Sequence, residues 1–209
     1  MLCFFMSVGK LLYSQGCPHD LNGNGTIDGG DLLELLSAFG QQCDGGTDMS
    51  PVISEIHYNP STDQGSDSEW EFVEIYNPHS ISIDVGGWQL VDGINAEIPE
   101  GTILASNRYL IFSSSPYSYD GELPYSTIIV EFTGDLDNNG ETIRLINSEE
   151  VEIAQAEFSD INPWPIEADG FGASLEWMGV GYDPLLPSSW HASSWFGGSP
   201  GAVNSTWSD

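Results

Sequence analysis

Short apolar runs separated by turn-forming residues dominate the chain after residue 50, and they restrict the fold more than any other feature. The runs are rich in Val, Ile, Tyr and Phe, and Gly, Pro, Asn or Asp interrupts them every few residues. Runs of this kind are typical of β-strands. The predicted strands are Val52–Tyr58, Glu71–Tyr76, Ser80–Asp84, Trp88–Val91, Arg108–Ser113, Ile128–Phe132, Thr142–Asn147, Val151–Glu157 and Ser174–Met178.

Many short strands and no helical periodicity beyond Phe39 predict a mainly β fold, a sandwich or a barrel. In the second predicted strand, a period of two places Val73 and Ile75 on one face. The same period places Phe72 and Tyr76 on the opposite face. Alternation of this kind builds a core between two sheets.

A second constraint lies near the amino end, where residues 20–31 read DLNGNGTIDGGD. In a twelve-residue calcium loop, positions 1, 3, 5, 9 and 12 supply side-chain oxygens and position 7 supplies its carbonyl. Gly25, at position 6, permits the sharp turn. The predicted Ca²⁺ ligands are Asp20, Asn22, Asn24, Thr26, Asp28 and Asp31.

Leucines and Phe39 follow this loop at helical spacing, with Asp31 as the predicted N-cap and Gly40 as the stop signal. The alternative is a polar turn without metal. The spacing of the oxygen-bearing residues, followed at once by an amphipathic helix, favours the calcium loop.

Charge excludes several classes of partner. The chain carries 32 acidic residues against three basic ones, Lys10, Arg108 and Arg144, and its formal net charge is −29. Nucleic acids and anionic membranes need clustered Lys and Arg, so neither is an expected partner. The two arginines of the β-rich part are predicted to bind local carboxylates.

The amino-terminal residues 1–16 contain a short apolar run with small residues at Ser14 and Gly16, which indicates the remnant of a secretory signal peptide. The run is far shorter than the roughly 20 residues that span a bilayer, so membrane insertion is not expected. The predicted organisation continues with a calcium unit at 17–43, a linker at 44–50 and a β-sandwich at 51–206. A secreted, extracellular protein is the expectation.

A catalytic site is not apparent. The four histidines, which are His19, His57, His79 and His191, belong to no recognisable metal or nucleophile motif. Glu69, Glu71 and Glu74 are interpreted as a solvated face, because acid–base catalysis needs two carboxylates that face a cleft. The chain is therefore predicted not to be an enzyme.

Two further segments allow alternatives. Residues 135–140, DLDNNG, echo the first loop but place Ile146 at position 12; we interpret them as a hairpin turn, with a second calcium site as the alternative. Trp164, Trp190 and Trp195 are predicted to cover the ends of the sandwich. Exposed rings that stack on sugars are the alternative there.

Several motifs resemble the lamin tail domain, an immunoglobulin-like β-sandwich. They are Val52–Tyr58, Glu71–Pro78, Ile83–Leu90 and Gly140–Leu145, and the closing part resembles the bacterial version through Pro163–Pro165, Asp169–Gly170, Ser174–Glu176, Trp190 and Gly198–Asn204. The resemblance implies an accessory module of secreted or surface proteins.

Residues 17–43 resemble one calcium-loop repeat of a dockerin, which implies Ca²⁺ binding and a cohesin-like partner. Dockerins carry two such repeats, whereas this chain has one. The positions that recognise the partner in dockerins are occupied here by Gly29 and Gly30. The expected function is a non-enzymatic attachment module for a protein, matrix or surface. The alternative is a carbohydrate-binding accessory module.

Cys17 and Cys43 bracket the calcium unit, and we predict a disulfide between them, because so small a unit buries little apolar surface. Thiol titration of the unfolded, unreduced chain should therefore find only Cys3 reactive. Reduction should raise the count to all three cysteines. Free thiols at both Cys17 and Cys43 before reduction would contradict the pairing.

Overall fold

The computed structural model of the protein describes residues 26, 28–31, 50–119, 121, 123–124 and 126–207. The chain divides into two compact units, Met1–Asp48 and Met49–Asp209. In the first unit, residues 29–31 begin a helix. No helix within the described ranges is long and apolar enough to cross a membrane.

The second unit is built from thirteen strands in its described residues. They are β1 (Val52–His57), β2 (Phe72–Tyr76), β3 (Ile83–Asp84), β4 (Gln89–Val91), β5 (Ile94–Glu97), β6 (Ile103–Leu104), β7 (Tyr109–Ser113), β8 (Ile128–Glu131), β9 (Thr133–Gly134), β10 (Gly140–Ile146), β11 (Glu152–Ser159), β12 (Leu175–Trp177) and β13 (Trp190–Ala192). Short helical turns span Asp67–Trp70, Pro116–Tyr119, Ile166–Ala168 and Pro187–Ser189.

The strands form two main sheets and a small ribbon. The larger sheet has the order β13-β12-β1-β2-β7-β8, the smaller has the order β11-β10-β4-β5-β9, and β3 pairs with β6. The pairing of β7 with β8 is parallel, whereas the other strand pairs are antiparallel. The predicted mainly β, immunoglobulin-like sandwich is confirmed.

The core lies between the two sheets and follows the predicted alternation. Val73 and Ile75 of β2 are fully buried in the main cluster, where Ile143 and Leu145 of β10 also lie. Phe72 points to the other face of its sheet and packs in a separate small cluster. Each buried aliphatic side chain of this size contributes about 1.5–3 kcal/mol of hydrophobic stabilisation.

Each of the nine predicted strands overlaps an observed strand, although Ser80–Asp84 shrinks to the two residues of β3. Four strands were not predicted: β5, β6, β9 and β13. The short strands β6 and β9 offer too few residues for an alternating pattern. In β5, Ile94 is the only large apolar side chain.

The hairpin predicted at residues 135–140 is wrong. Gly140 N–H does donate to Asp137 O over 2.8 Å, which closes a tight turn. The flanking strands are not partners, because β9 pairs with β5 whereas β10 pairs with β4 and β11. The turn therefore carries the chain from an edge strand to an interior strand.

The prediction for the arginines holds at one of the two positions. The Arg144 guanidinium pairs with Asp92 and lies 3.5 Å from Glu152 Oε2, so it joins β10 to its neighbours. Arg108 is exposed and forms no ion pair with any described residue. It stands in the loop before β7, where its backbone carbonyl accepts the Asn77 N–H instead.

Candidate functional site

Three of the six predicted calcium ligands, Thr26, Asp28 and Asp31, fall in described positions. The other three, which are Asp20, Asn22 and Asn24, lie outside them, as do Cys17 and Cys43. Within the part of the chain that the structure describes, no three His, Cys, Asp or Glu side chains form a group that could hold a metal ion. The calcium loop remains a prediction.

The junction between loop and helix differs from the sequence prediction. The helix begins at Gly29, so Asp28 and not Asp31 is the N-cap. Asp28 Oδ1 accepts the Gly30 N–H over 2.7 Å, and Asp31 Oδ2 accepts the Asp28 N–H over 2.7 Å. This reciprocal pair has the form of a capping box, with Asp31 in the first turn. It brings the carboxylates of loop positions 9 and 12 together.

The histidines of the sandwich have structural surroundings. His57 is 1% exposed, contacts the ring of Phe72 and shares a hydrogen bond with Gln64 over 3.1 Å. Burial lowers the pKa of His57 to about 4, so its ring is neutral at pH 7. His79 binds the Ser50 carbonyl over 3.0 Å, and His191 is exposed on an edge strand. His19 lies outside the described residues.

The glutamates predicted to form a solvated face do not form one. Glu69 is exposed, but Glu71 and Glu74 are 1% and 0% exposed. The reason is that each of these two glutamates is covered by other parts of the chain, which a single-strand pattern does not reveal. These two carboxylates belong to different clusters on either side of Phe72.

The first cluster contains three buried glutamates in register across three neighbouring strands. Glu55 of β1 lies opposite Glu74 of β2 and also opposite Glu176 of β12. All three are 0% exposed. Three carboxylates at one level of a sheet repel one another, and burial removes the water that would solvate them. Donors from elsewhere in the chain must therefore satisfy them.

The hydroxyls of Ser54 and Ser174 donate to Glu74 and Glu55. The backbone donors come from the carboxyl-terminal segment 199–206, here called the closing segment. Each glutamate accepts backbone N–H groups from it. The Ser199 N–H donates to Glu55 over 2.7 Å, and the Gly201 N–H donates to Glu74 over 2.7 Å. Glu176 accepts the N–H groups of residues 205 and 206 over 2.9 and 3.0 Å. The closing segment is thus fixed across the larger sheet.

Burial also changes the acidity of these groups. It raises the pKa of Glu55 to about 8, and the charge of Glu176 adds to the effect. It raises the pKa of Glu74 well above its usual value, with the charge of Glu55 as the next contribution. Sequence analysis missed this cluster. The available signal was a glutamate in the middle of three apolar runs, SEIH, FVEIY and SLEWM.

The second cluster surrounds Glu71. Glu71 Oε2 accepts the Leu136 N–H over 3.2 Å, and Asp67, Asp135 and Glu141 lie near enough to act on its charge. Burial, reinforced by these carboxylates, raises the pKa of Glu71 to about 8.

The tryptophans divide between core and surface. Trp164 and Trp190 are 9% and 2% exposed and belong to the core, so the prediction of covered rings holds for these two residues and is wrong for Trp195. Trp195 is 63% exposed, and so are the neighbouring Phe196 (64%) and Phe171 (69%). The Phe196 ring lies directly over Gly172, so residues 171–172 and 195–196 are neighbours on the surface.

The comparisons with known proteins concern the sandwich. A family model described as Lamin Tail Domain matches residues 48–160, more than half of the chain. Among curated proteins, no match was found. The family match ends after β11, whereas the larger sheet continues through β12, β13 and the closing segment.

Replacing Glu55 with Gln should flatten the pH dependence of stability. The folded pKa is about 8 and the usual value is 4.5, so the stability that Glu55 contributes is complete below pH 4.5 and is lost as the pH rises through 8. The contribution of Glu55 to the free energy of unfolding is on the order of a few kcal/mol. Urea unfolding followed by tryptophan fluorescence at several pH values measures it.

The matched control is Glu131→Gln on β8, because Glu131 is exposed. This variant makes the same change in net charge. It should leave the slope of the free energy of unfolding against pH as in the wild type. An unchanged slope in the Glu55 variant would contradict the assignment.

Proposed function

The chain belongs to the lamin tail domain family, and from this premise we propose that it is a secreted, non-enzymatic attachment module. Lamin tail domains are non-enzymatic immunoglobulin-like sandwiches. In this proposal residues 17–43 form a dockerin-like unit that Ca²⁺ stiffens. The partner is a cohesin-like protein or a component of a matrix or cell surface.

The observation that carries the proposal is the ligand rhythm of residues 20–31. The capping box supports it, because it gathers Asp28 and Asp31 where the loop meets the helix. Positions 9 and 12 must approach each other if they are to serve one ion. Gly30 lies between them without a side chain that would obstruct that approach.

The loop offers three carboxylates, Asp20, Asp28 and Asp31, which is few for a calcium site. Affinity depends on the number of charged ligands, so we expect a Kd of roughly 10⁻⁵–10⁻³ M. That range suits an extracellular setting rich in calcium. The acidic surface supports the same setting, since divalent cations and salt screen its self-repulsion.

A second candidate function is carbohydrate binding by the sandwich. The exposed rings of Phe171, Trp195 and Phe196 favour it, since grouped apolar side chains on a surface often mark a binding site. Flat aromatic rings also lose little conformational entropy when they contact a ligand. This candidate does not depend on calcium.

Calorimetry with Ca²⁺ tests the first candidate. Asp20→Ala removes the carboxylate at loop position 1, so this variant should bind one Ca²⁺ fewer than the wild type in the millimolar range. Asp63→Ala is the control, since Asp63 is exposed in the loop after β1. Equal heat from the wild type and the Asp20 variant would refute the calcium unit.

Affinity electrophoresis in gels that contain soluble polysaccharides tests the second candidate. Trp195→Ala should weaken any retardation about tenfold or more, because stacking on the ring is lost. Val203→Ala, at a side chain that is 59% exposed, is the control. Equal retardation of both variants, or no retardation of the wild type by any glycan, would count against carbohydrate binding.

A further inference from the structure

Two buried oxygen atoms of the sandwich lack a hydrogen-bond donor at the place where residues 67–71 meet the loop 135–139. They are Glu71 Oε1 and Asn138 Oδ1. Glu71 is 1% exposed, so its free oxygen cannot rely on bulk water. A buried acceptor without a partner costs about 1–3 kcal/mol, and more when it is charged. Native structures rarely leave such a pair uncompensated.

Hydrogen bonds fix the two side chains in place. Glu71 Oε2 accepts the Leu136 N–H over 3.2 Å, and the Asn138 Nδ2 donates to Asp67 Oδ2 over 3.1 Å. Asp67 and Glu71 are themselves linked through the helical turn, since the Glu71 N–H donates to Asp67 O. The Asn138 amide cannot be reversed without placing its oxygen against the Asp67 carboxylate. Both free oxygens are therefore held by the fold.

The surroundings are strongly negative. Asp67, Asp135 and Glu141 all act on the charge of Glu71. The nearest basic side chain on these strands, Arg144, is already paired with Asp92 and Glu152. Arg108, the remaining arginine, forms no ion pair with the described residues. No described side chain supplies positive charge to this cluster.

We propose that residues 67–71 and the loop 135–139 form a binding site for a hard divalent cation and that this site prefers Ca²⁺. Glu71 and Asn138 are the protein ligands, and Asp67 and Asp135 supply further negative charge. The site is separate from the loop at residues 20–31 and does not rest on the proposed function. It joins the start of β2 to the loop that precedes β10.

The donor set explains the choice of ion. Ca²⁺ accepts carboxylate, amide and water oxygens in irregular geometry, whereas Mg²⁺ demands a near-ideal octahedron. One protein ligand here is an amide oxygen, so the site is not a cluster of three carboxylates. Zn²⁺ favours His and Cys ligands, and neither residue type takes part.

Terbium luminescence in the full-length chain tests the site. Tb³⁺ takes the place of Ca²⁺ and emits when a nearby tryptophan is excited; Trp70 ends the helical turn that begins with Asp67, whereas residues 17–43 contain neither Trp nor Tyr. In the Asp20→Ala background, Tb³⁺ should give sensitised emission that Ca²⁺ displaces and Mg²⁺ displaces less well. Trp70→Phe should reduce the emission without changing calorimetric Ca²⁺ affinity.

Glu71→Gln is the decisive variant. An amide at this position retains an acceptor for Leu136 and removes the buried charge, so the variant should be at least as stable as the wild type in EDTA. When it is combined with Asp20→Ala, Glu71→Gln should weaken Ca²⁺ binding at least about tenfold relative to Asp20→Ala alone. The combined variant should also lose the rise in Tm that Ca²⁺ gives the Asp20→Ala chain. Glu131→Gln, which is exposed, should change neither property.

Asn138→Asp gives an independent check, because it replaces the neutral ligand with a carboxylate. Ca²⁺ should bind this variant more tightly, while its Tm in EDTA should fall. Equal Tm values of the Asp20→Ala chain in EDTA and in millimolar Ca²⁺ would overturn the proposal and indicate a proton or a water between the two oxygens. Loss of all Ca²⁺ binding in the Asp20→Ala chain would also overturn the proposal. That result would indicate that Ca²⁺ binds at the amino-terminal loop alone.

Discussion

The larger sheet depends on the contact between three buried glutamates and the backbone of the closing segment. Glu55, Glu74 and Glu176 stand side by side on adjacent strands, an arrangement that is unfavourable for strand pairing by itself. The N–H groups of residues 199, 201, 205 and 206 offset the repulsion, because each donates to a carboxyl group that water no longer reaches. The closing segment therefore stabilises the sheet that it covers.

This contact explains why acidic residues occupy two very different environments. Within the described ranges, most acidic side chains lie at the surface, while a few are buried where backbone N–H groups donate to them. Both buried clusters use β2, with Glu71 immediately before its first residue and Glu74 in its middle. Phe72 separates them and packs with Ile111 and Tyr119. Charged and apolar burial thus alternate along one short segment.

Sequence patterns predicted the sandwich well because the fold repeats one local rule. Where large apolar residues alternate, as at Val73 and Ile75, the strand was predicted, and for this strand the inward face was predicted as well. Strand β5 was not recognised by that rule, because the inward-facing position after Ile94 is the small residue Ala96. The carboxylate clusters were beyond reach for a different reason. Their donors are distant in sequence, and no local pattern links Glu55 with Ser199, 144 residues away.

That separation has a consequence for how the chain folds during synthesis. Strand β1 leaves the ribosome long before residues 199–206 exist, so its glutamate waits without its donors while β2 is made. Non-local pairings of this kind slow folding and leave sheet surfaces exposed in the meantime. Until residues 199–206 are made, the glutamates of the larger sheet are exposed to water and one face of that sheet is uncovered. Synthesis of residues 199–206, more than the pairing of any early strand, therefore determines when the larger sheet becomes covered.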